Sequence, residues 1–267
     1  MLSDAAVHPS LATADLERAK AWYAEKLGWQ PHREVPGLLI YDVNGSIVTI
    51  YESPMAGTAK NTVAIWGVGD LRAEVAKLRQ RGLEFEEFDF DDLKTVDGIA
   101  TDDEGGDLNA WFRDPDGNYI GMVEHHPAPG EEPPGPEEPP TTGVGLMIAA
   151  ADLARARAWY VDKLGLTPFR DYEGQEVVFR SGRTRFTVYS TPSAGTAKNT
   201  VAMWWVKDLR AEVAYLRGRG VLFEDYEFGE ARTVDGILED DDGLVAWFKD
   251  SEGNILALGQ YGEAITG

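Results

Sequence analysis

The chain has 267 residues and no cysteine, and its 46 acidic and 25 basic side chains give a formal net charge of −21. This length suffices for two ordinary domains, and the lack of cysteine excludes disulfides, thiolate metal sites and cysteine nucleophiles. The acidic excess repels phosphate backbones and anionic lipids, so we expect no nucleic-acid and no membrane partner. The same excess would favour a cationic ligand, or it serves only to keep the protein soluble.

A strand and a helix open the predicted fold. The apolar run from His8 to Thr13 predicts the strand, and Asp15 can cap a helix whose apolar positions follow at helical spacing. Gly28 stands where a left-handed residue would end this helix. Asn44-Gly45 is typical of a two-residue hairpin turn, and it joins two further predicted strands, Leu38–Val43 and Ser46–Tyr51.

The same order then recurs within the first half of the chain. A strand is predicted at Val63–Val68, followed by a helix that Asp70 caps and Gly82 ends. Asp114-Pro-Asp-Gly117 suits a type I turn followed by a glycine bulge. This turn joins two strands, Leu108–Arg113 and Asn118–Val123.

The second half of the chain repeats the first. The segment Gly57–Ala64 returns unchanged at Gly195–Ala202, and Trp111-Phe112 returns as Trp247-Phe248. The repeat predicts an α+β protein with two domains, each built from two βαβββ modules. We place domain 1 at residues 1–126, an extended proline-rich linker at 127–142, and domain 2 at 143–267.

Several motifs in this order resemble the vicinal oxygen chelate superfamily, which includes glyoxalase I, extradiol dioxygenases and bleomycin resistance proteins. The motifs are Ala14–Tyr23 with Leu27-Gly28, Val68–Leu71 and Trp111–Asn118, and in the second copy Ala151–Leu153 with Leu164-Gly165, Lys207–Leu209 and Trp247–Asn254. The resemblance covers both copies and implies cupped sheets, with four modules in one chain imitating the dimer that such relatives form. Because members range from metalloenzymes to passive binders, the fold does not settle the activity.

The resemblance also implies where a metal would be held. In metal-dependent relatives the ligands come from three strand positions in each copy. These positions are His8, Val63 and Gly121 in the first copy, and Gly145, Val201 and Ala257 in the second. Since one imidazole cannot hold a divalent ion that usually needs three protein ligands, we expect no metal and no other cofactor.

Strand alternation predicts an aromatic pocket in place of the metal. Ile65 would face the cup in the first copy, and Met203 and Trp205 would do so in the second, with Trp204 left in the core. Counting through the hairpins pairs Trp111 with Gly121 and Trp247 with Ala257. Each indole would then lie where a ligating carboxylate is expected, either to bind a flat or hydrophobic molecule or merely to plug a disused cavity.

Other candidate residues carry weaker signals. Tyr51 and Tyr189 end strands and could offer hydroxyls to the pocket, and His8 could act as a general base because imidazole titrates near neutrality. The loops 57–61 and 195–199 could contact a ligand or simply form turns. His125-His126 and the acidic stretches 89–92, 102–104 and 239–242 are interpreted as solvated surface, since no calcium loop fits.

We therefore hold two hypotheses for the function. The first is a metal-independent protein of the bleomycin resistance type, which sequesters an aromatic or cationic small molecule in tryptophan-lined cups. The alternative is an enzyme of the same superfamily, a lyase, isomerase or dioxygenase-like protein. With no transmembrane run and no secretory signal in residues 1–9, we expect a cytoplasmic protein whose modules pair within one chain. Further self-association is left open.

Overall fold

The described part of the chain forms two compact units. A computed structural model describes residues 1–90, 93–101, 106–126, 142–228, 231–240 and 243–261. The N-terminal unit is Pro9–Gly145, and the C-terminal unit is Met1–His8 together with Leu146–Gly267. The predicted linker lies outside the described residues except for Thr142, as does the acidic stretch 102–104. No helix in the described ranges is long and apolar enough to cross a membrane.

The N-terminal unit holds two βαβββ modules. Their strand orders are β1-β4-β3-β2 and β5-β8-β7-β6, with β1 parallel to β4 and β5 parallel to β8. The strands are β1 (Val7–Thr13), β2 (Pro31–Val35), β3 (Leu38–Val43), β4 (Ser46–Glu52), β5 (Thr62–Gly67), β6 (Ile99–Thr101), β7 (Leu108–Arg113) and β8 (Tyr119–Glu124). The helices are α1 (Leu16–Trp22), which a π-helical turn over Tyr23–Leu27 prolongs, and α2 (Leu71–Gln80).

The C-terminal unit repeats this plan, so the chain holds four modules. The strand orders are β9-β12-β11-β10 and β13-β19-β18-β14, and β17 also pairs with β18. The strands are β9 (Val144–Ala150), β10 (Thr167–Tyr172), β11 (Glu176–Ser181), β12 (Thr184–Ser190), β13 (Thr200–Trp205), β14 (Phe223–Glu224), β15 (Glu227–Phe228), β16 (Ala231–Arg232), β17 (Ile237–Asp240), β18 (Gly243–Lys249) and β19 (Ile255–Tyr261). The helices are α3 (Leu153–Asp162) and α4 (Leu209–Gly218), and a 3₁₀ turn spans Leu2–Asp4.

The predicted helix caps are confirmed. The Asp15 carboxylate accepts a hydrogen bond from the backbone N–H of Arg18, which satisfies a donor that the helix itself leaves unpaired. Asp70 does the same for α2. Gly28 ends the first helix with φ of 77°, a left-handed value that favours glycine. The last turn is π-helical, which the sequence pattern does not predict.

Both predicted hairpins are confirmed with their register. Asn44 and Gly45 have φ of 52° and 82°, the values of a type I′ turn. Gly117 has φ of 88° in the second turn, and Trp111 pairs with Gly121 across β7 and β8. The short strand β2 is missing from the sequence prediction because its exposed polar residues give it no clear apolar pattern.

The turn between β7 and β8 is anchored to the start of α1. The Asp116 carboxylate accepts hydrogen bonds from the Thr13 hydroxyl at 2.6 Å and the Ala14 N–H at 2.9 Å, and it pairs with Arg18 at 2.6 Å. These contacts join the two modules of the N-terminal unit. In the C-terminal unit, Glu252 makes the equivalent contact with Arg155.

A buried carboxylate completes this anchor. Asp114 accepts hydrogen bonds from the Tyr23 hydroxyl at 2.8 Å and from the side-chain amide of Asn118 at 2.7 Å. Burial raises the pKa of Asp114, and the hydrogen bonds that it accepts oppose that shift. Tyr160, Asp250 and Asn254 repeat the arrangement in the C-terminal unit. Each aspartate therefore connects the first helix of its unit with the hairpin of the second module.

Candidate functional site

The first candidate site is a face of the N-terminal unit, here called the Trp111 face. It consists of Thr62 and Ile65 on β5, Trp111 on β7 and Gly121 on β8, with Phe88 at its side. A side-chain carbon on Gly121 would stand 3.3 Å from Trp111 Nε1, 3.4 Å from Thr62 Cγ2 and 3.5 Å from Ile65 Cγ1. Gly121 therefore leaves the space into which three neighbouring side chains converge.

The Trp111 indole is half-buried and fixed from one side. Phe88 meets it edge-on, with ring centroids 5.5 Å apart and planes at 75°. This geometry is the favoured one for aromatic pairs. Within the described ranges, no acceptor for the Trp111 indole N–H is found, so this donor remains available above Gly121.

The second candidate site is the corresponding surface of the C-terminal unit, here called the Trp247 face. It consists of Thr200 and Met203 on β13, Trp247 on β18 and Ala257 on β19, with Tyr226 at its side. Trp247 pairs with Ala257, as predicted, and its indole N–H donates to the Thr200 hydroxyl at 3.1 Å. Tyr226 meets the Trp247 ring edge-on at 5.7 Å. This indole donor is therefore already satisfied.

Trp205 closes one end of the Trp247 face. Its ring stacks on Tyr261 with centroids 3.8 Å apart and planes at 8°. A side-chain carbon on Gly259 would lie 2.6 Å from the Trp205 ring and 3.1 Å from the Met203 sulfur, so only glycine fits there. Trp204 points the other way and is fully buried, as strand alternation predicts.

His8 lies on β1 and carries no charge at neutral pH. Burial lowers its pKa from 6.5 to about 4, because a charged imidazole would lose its hydration. General bases work best with a pKa close to the working pH. The predicted role of His8 as a base therefore finds little chemical support at pH 7.

The two candidate tyrosines lie on strands of other modules than the tryptophans of their units. Tyr51 is on β4, opposite Ala12 and Leu38, in a different sheet from Trp111. Tyr189 is on β12, opposite Ala149, in a different sheet from Trp247. Within the units as described, the tyrosines and the tryptophans belong to separate modules.

The metal positions implied by the family resemblance do not fit a metal. Val63 is buried at one of them, and Gly121 at another faces the Trp111 indole. Val201 and Ala257 are equally without donor atoms. In the described part of the chain, no three histidine, aspartate or glutamate side chains come together as metal ligands could.

The repeated loops have a structural explanation. A side-chain carbon on Gly57 would lie 2.1 Å from the Asp116 carbonyl oxygen, and one on Gly195 would lie 2.5 Å from that of Glu252. The loop glycines thus allow close packing against the β7–β8 and β18–β19 turns. His125 lies 2.8 Å from Asp107 in a partly exposed pair.

Five residues of the two faces were not found by sequence reasoning: Thr62, Phe88, Thr200, Tyr226 and Tyr261. Tyr226 and Phe88 precede short or irregular segments whose pairing is not visible in the sequence. The only available signal was their matching position in the two copies, since each precedes the repeated Thr-Val-Asp-Gly-Ile segment. Thr62 and Thr200 lie just after the predicted loops 57–61 and 195–199, and were assigned no role.

Comparison with known proteins supports the fold. The model of the Glyoxalase/Bleomycin resistance protein/Dioxygenase superfamily matches residues 5–122. No curated protein matches the chain. Glyoxalase I from Zea mays is similar in structure, with 14% identity, a TM-score of 0.60, and coverage of 96% of this chain and 93% of that chain.

A shorter solved structure matches one part of the chain. The glyoxalase / bleomycin resistance protein from Catenulispora Acidiphila DSM 44928 has 26% identity and a TM-score of 0.35. It covers 44% of this chain and 95% of that chain. The likeness to glyoxalase I, at its low identity, concerns the fold alone.

Proposed function

Because residues 5–122 match the model of the Glyoxalase/Bleomycin resistance protein/Dioxygenase superfamily, we propose that the chain binds a flat aromatic or cationic small molecule without a metal ion. The observation that carries this proposal is the half-buried Trp111 indole, whose N–H has no acceptor in the described residues while Gly121 leaves room beside it. An indole N–H on an apolar wall can orient a ligand that brings its own acceptor.

The surrounding chemistry supports recognition of an apolar body. Ile65 and Phe88 supply apolar and aromatic surface beside Trp111. The net charge of −21 favours the approach of a cation over that of an anion. A flat molecule with an acceptor group and a positive charge would satisfy all three features.

The enzyme hypothesis has less support from the same residues. A lyase or isomerase would need a base, and the pKa of His8, lowered to about 4 by burial, makes this imidazole a weak one at pH 7. The Tyr23 and Tyr160 hydroxyls are fully buried and engaged by aspartates. Binding therefore fits the described side chains better than proton transfer does.

A titration followed by indole N–H signals in two-dimensional NMR tests the proposal. The wild-type protein is titrated with a panel of flat aromatic amines and neutral flat natural products, and the Trp111 signal is assigned with Trp111→Phe. We expect at least one compound to shift the Trp111 signal and to bind Trp111→Phe about tenfold more weakly, the effect of losing one hydrogen bond.

Trp247→Phe is the matched control, because Thr200 already occupies its N–H. We expect this variant to bind the same compound as the wild type does. If no compound moves the Trp111 signal, the tryptophans fill a disused cavity and the proposal is wrong. A stoichiometric divalent metal that survives dialysis would also overturn it and would favour the enzyme hypothesis.

A further inference from the structure

A groove of the C-terminal unit is filled by the chain's own first residues. Leu2, in the 3₁₀ turn, is completely buried. Ser181, at the end of β11, donates its hydroxyl hydrogen to the carbonyl oxygen of Leu2 at 2.7 Å and accepts the indole N–H of Trp204 at 2.9 Å. The Ser181 hydroxyl thus links the Trp204 indole to the backbone of Leu2.

Among the residues that the structure describes, which leave out 127–141, the same place in the N-terminal unit is a cavity, here called the Trp66 cleft. Its volume is about 480 Å³. By the repeat, Trp66 corresponds to Trp204 and Val43 to Ser181. Because Val43 has no polar atom, the Trp66 indole N–H lacks the acceptor that Ser181 gives to Trp204. The residues on which the argument rests are Trp29, Asp42, Val43, Trp66, Glu74 and Lys77.

Two indoles make the walls of the Trp66 cleft aromatic. Trp29 corresponds to Leu166 in the C-terminal unit, so an aromatic ring replaces an aliphatic side chain here. The rings of Trp29 and Trp66 meet edge-on with centroids 5.4 Å apart, and each residue is 8% exposed. A cavity with rigid aromatic walls is suited to a flat ring.

The charged side chains of the cleft favour a positively charged ligand. Asp42 and Glu74 bring two negative charges and Lys77 brings one positive charge, and Lys77 lies 2.8 Å from Glu74. The lining therefore keeps one negative charge. At the corresponding positions, the C-terminal unit has Arg180, Glu212 and Tyr215. The C-terminal unit also has Lys207 in place of Gly69. Its four corresponding residues therefore carry a net positive charge.

From the filled groove, the aromatic walls and the charge we infer that the Trp66 cleft is a second binding site, specific for a small aromatic cation such as a protonated arylalkylamine. The ring lies against Trp29 and Trp66, and the ammonium group is attracted to Asp42 and Glu74. This site is separate from the Trp111 face, and it stands whether or not that face binds a ligand.

Two probes with the same ring and opposite charge test the inference. Isothermal titration of the full chain compares 2-naphthylmethylammonium with 2-naphthoate. We expect the cation to bind at least about tenfold more tightly than the anion, a difference of about 1.4 kcal/mol. Binding of the cation should weaken as salt is added, because the attracting carboxylates are partly exposed.

Variants that replace cleft residues by the residues at the matching positions of the C-terminal unit locate the site. Asp42→Arg and Gly69→Lys place cations at the rim, and a side chain at Gly69 meets no atom within 4 Å. Each should weaken binding of the cation about tenfold or more, and the pair together should favour 2-naphthoate. Trp29→Leu, which copies Leu166, should lose binding of both probes. Circular dichroism verifies that each variant folds.

Indole N–H signals in two-dimensional NMR separate this site from the Trp111 face. The expected result is that 2-naphthylmethylammonium shifts the Trp29 and Trp66 signals, and that Trp29→Leu abolishes the shift of Trp66 whether or not the Trp111 signal moves. A shift of the Trp111 signal alone would place the ligand at the Trp111 face and overturn the inference. Equal affinity for the two probes, or no heat of binding at millimolar concentration, would overturn it as well.

Discussion

The Trp111 face and the Trp247 face differ in how their indoles are completed. Trp247 donates to Thr200, and Trp205 stacks on Tyr261 beside it, so the polar and aromatic groups of that face satisfy one another. On the other face, Phe88 meets Trp111 edge-on, and within the described residues no acceptor for the Trp111 N–H is found above Gly121. Duplication has kept the strands and changed the chemistry that they present.

The Trp66 cleft and its counterpart show the same difference. In the C-terminal unit, the Ser181 hydroxyl accepts the Trp204 indole N–H and donates to the Leu2 carbonyl oxygen. In the N-terminal unit, Val43 leaves Trp66 without that partner beside a cavity. In both comparisons, side chains of the C-terminal unit accept the indole N–H, and the equivalent acceptor is missing among the described residues of the N-terminal unit.

His8 has Gly145 as its counterpart in the repeat. The burial of His8 gives the largest expected effect, a loss of stability at acidic pH. Burial lowers the pKa of His8 from 6.5 in an unfolded chain to about 4 in the folded one. At pH values between 4 and 6.5, the unfolded state binds the proton of His8 more tightly than the folded state does. The contribution of His8 to stability is therefore complete above pH 6.5 and is lost as the pH falls to 4. The full loss is about 3 kcal/mol.

Urea unfolding of the wild type and His8→Gln from pH 7 to pH 4 measures this loss. The buried Asp114 and Asp250 have raised pKa values and act in the opposite direction, but both proteins contain them, so the difference between the curves isolates His8. The wild type should lose up to about 3 kcal/mol more than the variant. Parallel curves would show that His8 is accessible to water, which would restore it as a candidate base.

Local rules were sufficient to predict most of the fold from the sequence. Helix caps such as Asp15 and turns such as Asn44-Gly45 depend on a few neighbouring residues, and the hairpin register follows from the turn. Strand alternation then separated Trp204, in the core, from Trp205 on the face. The pairing of Trp111 with Gly121 was predicted in the same way.

The partners of these residues could not be predicted, because they are distant in sequence. Thr200 bonds to Trp247 and Leu2 to Ser181 across long separations, and neither pair has a pattern that connects it. Phe88 and Tyr226 come from segments without regular periodicity. The available N–H of Trp111 is therefore a property of the folded chain, and sequence reasoning gave only the position of the ring.

The two face glycines should differ in what they tolerate. Gly259→Ala would place its methyl group 2.6 Å from the Trp205 ring, and the stack with Tyr261 would have to move. We expect a loss of about 1–3 kcal/mol in stability and a change in near-ultraviolet circular dichroism. Gly121→Ala meets its nearest atom at 3.3 Å and should cost less than about 1 kcal/mol. Equal losses would mean that the Trp205 ring moves freely, and the contrast between the faces would fail.

The smallest expected effect separates the two indole N–H groups. Trp247→Phe removes the indole hydrogen bond to Thr200, which should cost about 1 kcal/mol beyond the change in ring size. Trp111→Phe makes the same change of ring without breaking a hydrogen bond among the described residues, so it serves as the reference. Thr200→Val removes the same hydrogen bond, so the double variant should lose less stability than the sum of the two single losses. If the two tryptophan variants are equally stable, the Trp247 bond contributes nothing measurable, and the Trp247 face is as open to a ligand as the Trp111 face.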